Sequence, residues 1–145
     1  MRVFLDTSLL VASVLSKHEF HAKAFAVLER VQNGRDEGFI SAHSLAEMYA
    51  ILTRLPMPFR HSPEQALLSI EENVLKYFKI SSLTGNEYAG LIRDAALAGI
   101  QGGTIYDAVL LKCAGKTAVT RIYTLNLKHF QAVSTSAQSS LLCAP

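Results

Sequence analysis

Met1-Arg2-Val3-Phe4-Leu5-Asp6-Thr7-Ser8 decides the fold class. An apolar run this short, closed by a carboxylate, reads as a strand buried on both faces, and such strands belong to central parallel sheets. Thr7 and Ser8 can cap a helix over residues 9–15. Outward from this unit the same alternation recurs. A helix is predicted over residues 19–32, with Phe20, Ala24, Val27, Leu28 and Val31 as its apolar stripe and Asn33-Gly34 as its end. Gly38-Phe39-Ile40 reads as a second strand. Ser41 then opens a helix that carries Leu45, Met48, Leu52 and Leu55 at helical spacing and stops at Pro56 and Pro58.

Ser62-Pro63-Glu64-Gln65 combines an N-cap serine, a first-turn proline and a capping-box glutamine, which predicts a helix to about Val74. A third strand is expected over residues 77–83. Thr84 with Glu87 makes a second capping box, for a helix ending at Gly99. Beyond the Gly102-Gly103 loop, Thr104 is expected to cap a helix over residues 105–114. Residues 119–124 read as a fourth strand, 126–130 as a turn or short helix, and 134–145 as a weak last strand or loose tail. Strands alternating with helices predict an α/β protein, a single domain over residues 1–145 with a mostly parallel sheet.

Composition agrees with a packed domain. The chain has 145 residues, half of them hydrophobic and 18% charged, which excludes a disordered chain. The net charge of +2 permits nucleic-acid binding without demanding it. Cys113 and Cys143 lack metal-type spacing; Cys113 reads as a small core residue, and nothing suggests a disulfide framework. No signal peptide or membrane-length apolar run is apparent, so a cytoplasmic location is expected. P-loop, dinucleotide and nucleophile-elbow motifs are absent.

The chemistry lies with the acids. In an open parallel sheet, ligands bind beyond the carboxyl ends of the strands. Asp6 follows the first strand and Asn126 the fourth. Glu47 lies within the helix after the second strand, and Asp107 in the first turn of its helix. Each has a plainer reading: Asp6 as a helix cap, Asp107 as a helix-dipole acid, Glu47 as a solvated side chain. Their combined placement is the informative feature. Clustered carboxylates repel one another unless a cation joins them. Oxygen-only ligands favour magnesium or manganese over zinc. His18 and His21, three apart, lack partners for a zinc site, and His43, four before Glu47, reads as passive.

Four segments, in this order, resemble the motifs of the PIN domain, especially the VapC toxins of toxin–antitoxin pairs. They are Val3-Phe4-Leu5-Asp6-Thr7-Ser8, Ser44-Leu45-Ala46-Glu47-Met48, Tyr106-Asp107-Ala108, and Tyr123-Thr124-Leu125-Asn126 followed by His129-Phe130. The likeness runs from Arg2 to about Phe130. It implies a three-layer α/β/α fold and a metal-dependent endoribonuclease that cleaves RNA with a metal-activated water. By resemblance Asp6, Glu47 and Asp107 hold Mg2+ or Mn2+, Asn126 completes the catalytic set, and Thr7, Ser8 and Thr124 support them by hydrogen bonding. A VapB-type antitoxin and a homodimer are implied partners, with an apolar surface around residues 45–55 and 66–74 available to either. The fourth motif often carries an acid; Asn126 in its place removes a negative charge and weakens metal binding or favours one ion.

Arg54, Arg60, Lys112, Lys116, Arg121 and Lys128 are candidates for RNA phosphates, each equally well read as surface charge. Two other functions fit less of the chain. An aspartyl phosphatase needs a second aspartate two residues after Asp6, where Ser8 stands. A PIN-like module that binds RNA or protein without cutting is opposed by Asp6, Glu47 and Asp107 and left open by Asn126.

Overall fold

A computed structural model describes residues 1–145. Strands β1 (Arg2–Leu5), β2 (Glu37–Ser41), β3 (Phe78–Ser81), β4 (Arg121–Tyr123) and β5 (Leu142–Cys143) form one sheet in the order β3-β2-β1-β4-β5. Every neighbouring pair is parallel. Successive side chains on a strand point to opposite faces, and the buried residues divide accordingly. Val3, Leu5, Ile40 and Tyr123 join one core, while Phe4, Phe39 and Ile122 join the other.

Helices α1 (Thr7–Val14), α2 (His21–Gln32), α3 (Ala42–Leu52) and α4 (Pro63–Ile70) cover the first face. Helices α5 (Gly85–Leu97), α6 (Thr104–Gly115) and α7 (Leu127–Val133) cover the second, and the short α8 (Ser136–Ser139) precedes β5. The three-layer α/β/α architecture is the expected one. Cys113 is buried in the second core, and both cysteines are free thiols.

Local chemistry sets the helix ends. Both capping boxes form, Ser62 with Gln65 and Thr84 with Glu87. Gly34, just past α2, has φ +70°, the left-handed turn that glycine adopts without strain. Past Ile70 the α4 run widens into a π-helical turn over Glu71–Leu75. Three expectations need correction. Asp6, not Thr7 or Ser8, caps α1: its carboxylate accepts from the Leu9 N–H, because helical geometry already begins at Thr7. Phe20 lies outside α2 and is exposed, since the chain turns over residues 16–20 with the Phe20 N–H on His18 Nδ1. Thr104 is the first helical residue of α6 rather than its cap.

The end of the chain joins the sheet: Ile122 and Tyr123 of β4 pair with Leu142 and Cys143. The strand order also locates a switch point. From β1 the chain steps outward through β2 and β3, then returns to add β4 on the other side of β1. The carboxyl ends of β1 and β4 therefore flank the crevice where open α/β sheets bind ligands.

Candidate active site

Asp6 is the first residue beyond β1, and its N–H donates to the Tyr123 carbonyl at the end of β4 (3.1 Å). It is buried, and its carboxylate is held from three directions. The Leu9 N–H donates to Oδ1 at 2.9 Å, the Thr124 hydroxyl to Oδ2 at 2.6 Å, and the Ser8 hydroxyl reaches both oxygens at 2.8 Å. The supports are themselves anchored. Ser8 Oγ accepts from the Leu125 N–H at 3.2 Å and Thr124 Oγ1 from the Asn126 N–H at 2.9 Å, so one network ties the start of α1 to the segment after β4. The Thr7 hydroxyl turns away and donates to Ser44 Oγ at 3.0 Å, fastening α1 to α3.

A cavity of about 170 Å3 opens over Asp6, lined also by Thr7, Ser8, Glu47, Asp107 and Asn126. Glu47 reaches it from α3, Asp107 from the first turn of α6, and Asn126 from the residue before α7. Thr124 lies beneath, fully buried, acting only through Asp6 and Asn126. Asp6, Thr7, Ser8, Glu47, Asp107 and Asn126 thus line one cavity, with Thr124 behind Asp6. A larger cleft of about 330 Å3 lies beyond the end of α1, lined by Val14, Leu15, Lys17, His18, Phe59 and His61. It contains no carboxylate, so chemical content rather than size selects the smaller cavity.

The acids disturb one another. Burial drives the Asp6 carboxyl up to about 6, against the pull of its hydrogen bonds, with Glu47 adding to the rise. Asp107 is also raised, first by burial; His129 opposes this and Glu47 reinforces it. Both acids thus lie where negative charge is disfavoured and a cation would relieve the cost. The would-be ligand atoms are all oxygens, and the three donors around Asp6 do not exclude a cation from its carboxylate, so the set suits a hard divalent ion. No three His, Cys, Asp or Glu side chains close around one point as a ready-made metal cage.

The family model described as "PIN domain" matches residues 3–135. The chain belongs to the PIN-domain family. This PIN domain is 33% identical over 119 residues to Ribonuclease VapC40 of Mycobacterium tuberculosis, a match covering 80% of this chain and 83% of the relative. It is 31% identical over 112 residues to Ribonuclease VapC27 of the same organism, covering 77% and 76%. Among solved structures, the fold resembles VapBC2 of Rickettsia felis, bound to a DNA fragment from its promoter, with a TM-score of 0.67 and 19% identity over 100% of this chain and 99% of that one. It also resembles VapC20 of Mycobacterium tuberculosis, titled a Sarcin-Ricin loop cleaving toxin, with a TM-score of 0.69 and 16% identity over 92% and 96%.

Contacts that link Glu47 to the helix of Asp107 were not evident in the sequence of this PIN domain. His43, read from the sequence as passive, meets both: its Nε2 lies 2.9 Å from Glu47 Oε2, and its ring stacks on Tyr106. The four-residue spacing from Glu47 was the only available signal. The cations also sort themselves. Lys116 is committed to Glu87 and the Ser82 carbonyl, and Arg60 Nε to the Leu55 carbonyl. Arg54 lines a cleft running from Glu47 along α3. No helix is long and apolar enough to cross a membrane.

Proposed function

We propose that this PIN domain is the endoribonuclease toxin of a toxin–antitoxin pair, hydrolysing RNA phosphodiester bonds at the cavity of Asp6, Glu47, Asp107 and Asn126 with magnesium, or manganese, as its cofactor. The observation that carries this reading is the convergence of Asp6, Glu47 and Asp107 on one cavity at the sheet's switch point, with burial and Glu47 raising the other two acids. The ribonuclease names of two relatives, VapC40 and VapC27, support it.

Asp6, Glu47 and Asp107 would hold the ion. When bound, a divalent ion neutralises the acids, polarises a phosphate and activates water for attack on phosphorus. The chain's own residues supply the geometry. Thr124, Ser8 and the Leu9 N–H hold Asp6 in a single orientation, so little rearrangement accompanies the reaction. Asn126, exposed at the cavity rim, offers an amide donor and acceptor that can orient water or a ribose hydroxyl without adding charge. Arg54, along the cleft from Glu47, is best placed of the candidate cations to take a neighbouring phosphate.

The partners follow from the same reading. The fold likeness to VapBC2 supports a protein partner, and a VapB-type antitoxin is proposed here. Leu67 and Leu68 are more than half exposed on α4, and Tyr49 is exposed on α3. This apolar surface suits an antitoxin segment or a second copy in a homodimer. A cytoplasmic location belongs to the proposal, since that is where the RNA would be met.

The test is to incubate purified protein with total cellular RNA and map new ends, with magnesium, with chelator, and with Asp107→Asn. Discrete cuts requiring both metal and Asp107 are expected. A folded protein that binds magnesium and leaves every RNA intact would point instead to a binding module.

A further inference from the structure

We propose that His43 is a positioning residue for Glu47 and that its stack on Tyr106 fixes it in that role. The inference rests on the reading of Glu47 as a metal ligand. Glu47 extends from α3 with about a third of its side chain exposed, and its one ion-pair partner is His43, through Oε2 at 2.9 Å. An i,i+4 pair on a solvated helix face orients a carboxylate weakly, because both side chains keep their rotamer freedom. Here the imidazole is also restrained by a second ring. It lies parallel to the Tyr106 ring, with centroids 4.9 Å apart and 10° between the planes.

Tyr106 immediately precedes Asp107 on α6, whereas His43 and Glu47 share α3. The stack therefore links the two helices that bring two of the three acids to the cavity. Stacked aromatic pairs of this geometry are favourable and so restrain both rings. Tyr106 fixes the His43 plane, His43 fixes Oε2 of Glu47, and the second carboxylate oxygen stays available to a cation. Outer partners that pack against a ligating carboxylate in this way orient it and strengthen binding. Tyr106 itself is half exposed and takes no part in either core, so its packing there is not explained by burial.

The probe is Mn2+ alone, titrated by calorimetry into RNA-free protein, with thermal unfolding recorded for each variant. Glu47→Gln and His43→Ala are each expected to weaken Mn2+ binding by about tenfold or more. His43→Gln, which restores an N–H donor, should recover most of that loss. Tyr106→Phe keeps the stack and should bind as wild type. Tyr106→Leu should lose affinity by a smaller factor, with no further loss when added to His43→Ala. Wild-type Mn2+ affinity in His43→Ala, with Glu47→Gln impaired, would overturn the role of His43 alone. So would an equal loss in His43→Ala and His43→Gln. An unimpaired Glu47→Gln would instead overturn the ligand reading beneath it.

Discussion

Removing the charge of Asp6 should stabilise the metal-free protein at neutral pH and not at acid pH. The folded carboxyl is pushed up from 3.8 to about 6, chiefly by burial. A displacement of about two pH units corresponds to roughly 3 kcal/mol of linkage. Its sign follows from proton counting. Between these two values the folded state keeps a proton that the unfolded chain releases. The stabilisation is thus complete below about pH 3.8 and lost as pH rises through about 6. Asp36, Glu37 and Glu87 are shifted the opposite way by their ion pairs, so only the difference between wild type and variant isolates Asp6. Asp6→Asn keeps the shape but has one accepting oxygen in place of two, so part of the gain is returned. In urea melts with chelator, the variant is expected to be about 1–3 kcal/mol more stable than wild type at pH 7.5 and no more stable at pH 4. Magnesium should close the gap by stabilising wild type, by about 2.7 kcal/mol at a concentration 100 times Kd. A difference that stays constant from pH 4 to 7.5 would refute the reasoning.

Thr124→Val removes a buried hydrogen bond to a charged oxygen, and at pH 7.5 should cost about 1.5–3 kcal/mol, less at pH 4 where Asp6 is protonated; paired urea melts decide it. Asn126→Asp restores an acid at the rim. It should lower the magnesium concentration needed for half-maximal cleavage and, with chelator present, lower the melting temperature at pH 7.5. Gly38→Ala would place a methyl 2.6 Å from the Phe78 ring and from Val31, and should cost about 1–3 kcal/mol by overpacking, measured by thermal unfolding.

Much of this was legible in the sequence because local and global signals agree. Strands β1 and β2 are short apolar runs ended by polar residues, and both capping boxes carry a complete pattern in four residues. Asp6 and Asn126 could be placed because residues just past parallel strands share one edge of the sheet. What was only partly legible depends on where helical geometry begins, on very short elements, or on contacts between distant segments. Asp6, Thr7 and Ser8 are all competent caps, and only the onset of helical geometry at Thr7 selects Asp6. The partner that fixes His43 lies on α6, far along the chain. Strand β5 is two half-buried residues at the sheet edge, too short to show a periodicity. The commitment of Lys116 to Glu87 likewise needed the packing of α5 against α6.

The central claim is that RNA is cut at the acidic cavity. Its most direct test is single-turnover cleavage of one mapped RNA by wild type and Asp107→Asn in saturating magnesium, with RNA binding measured in parallel. Loss of an interaction made in the transition state lowers the rate without weakening substrate binding. Asp107→Asn should bind the RNA as wild type does and cut it at least about 100-fold more slowly. Cutting at the same positions and the same rate would contradict the claim.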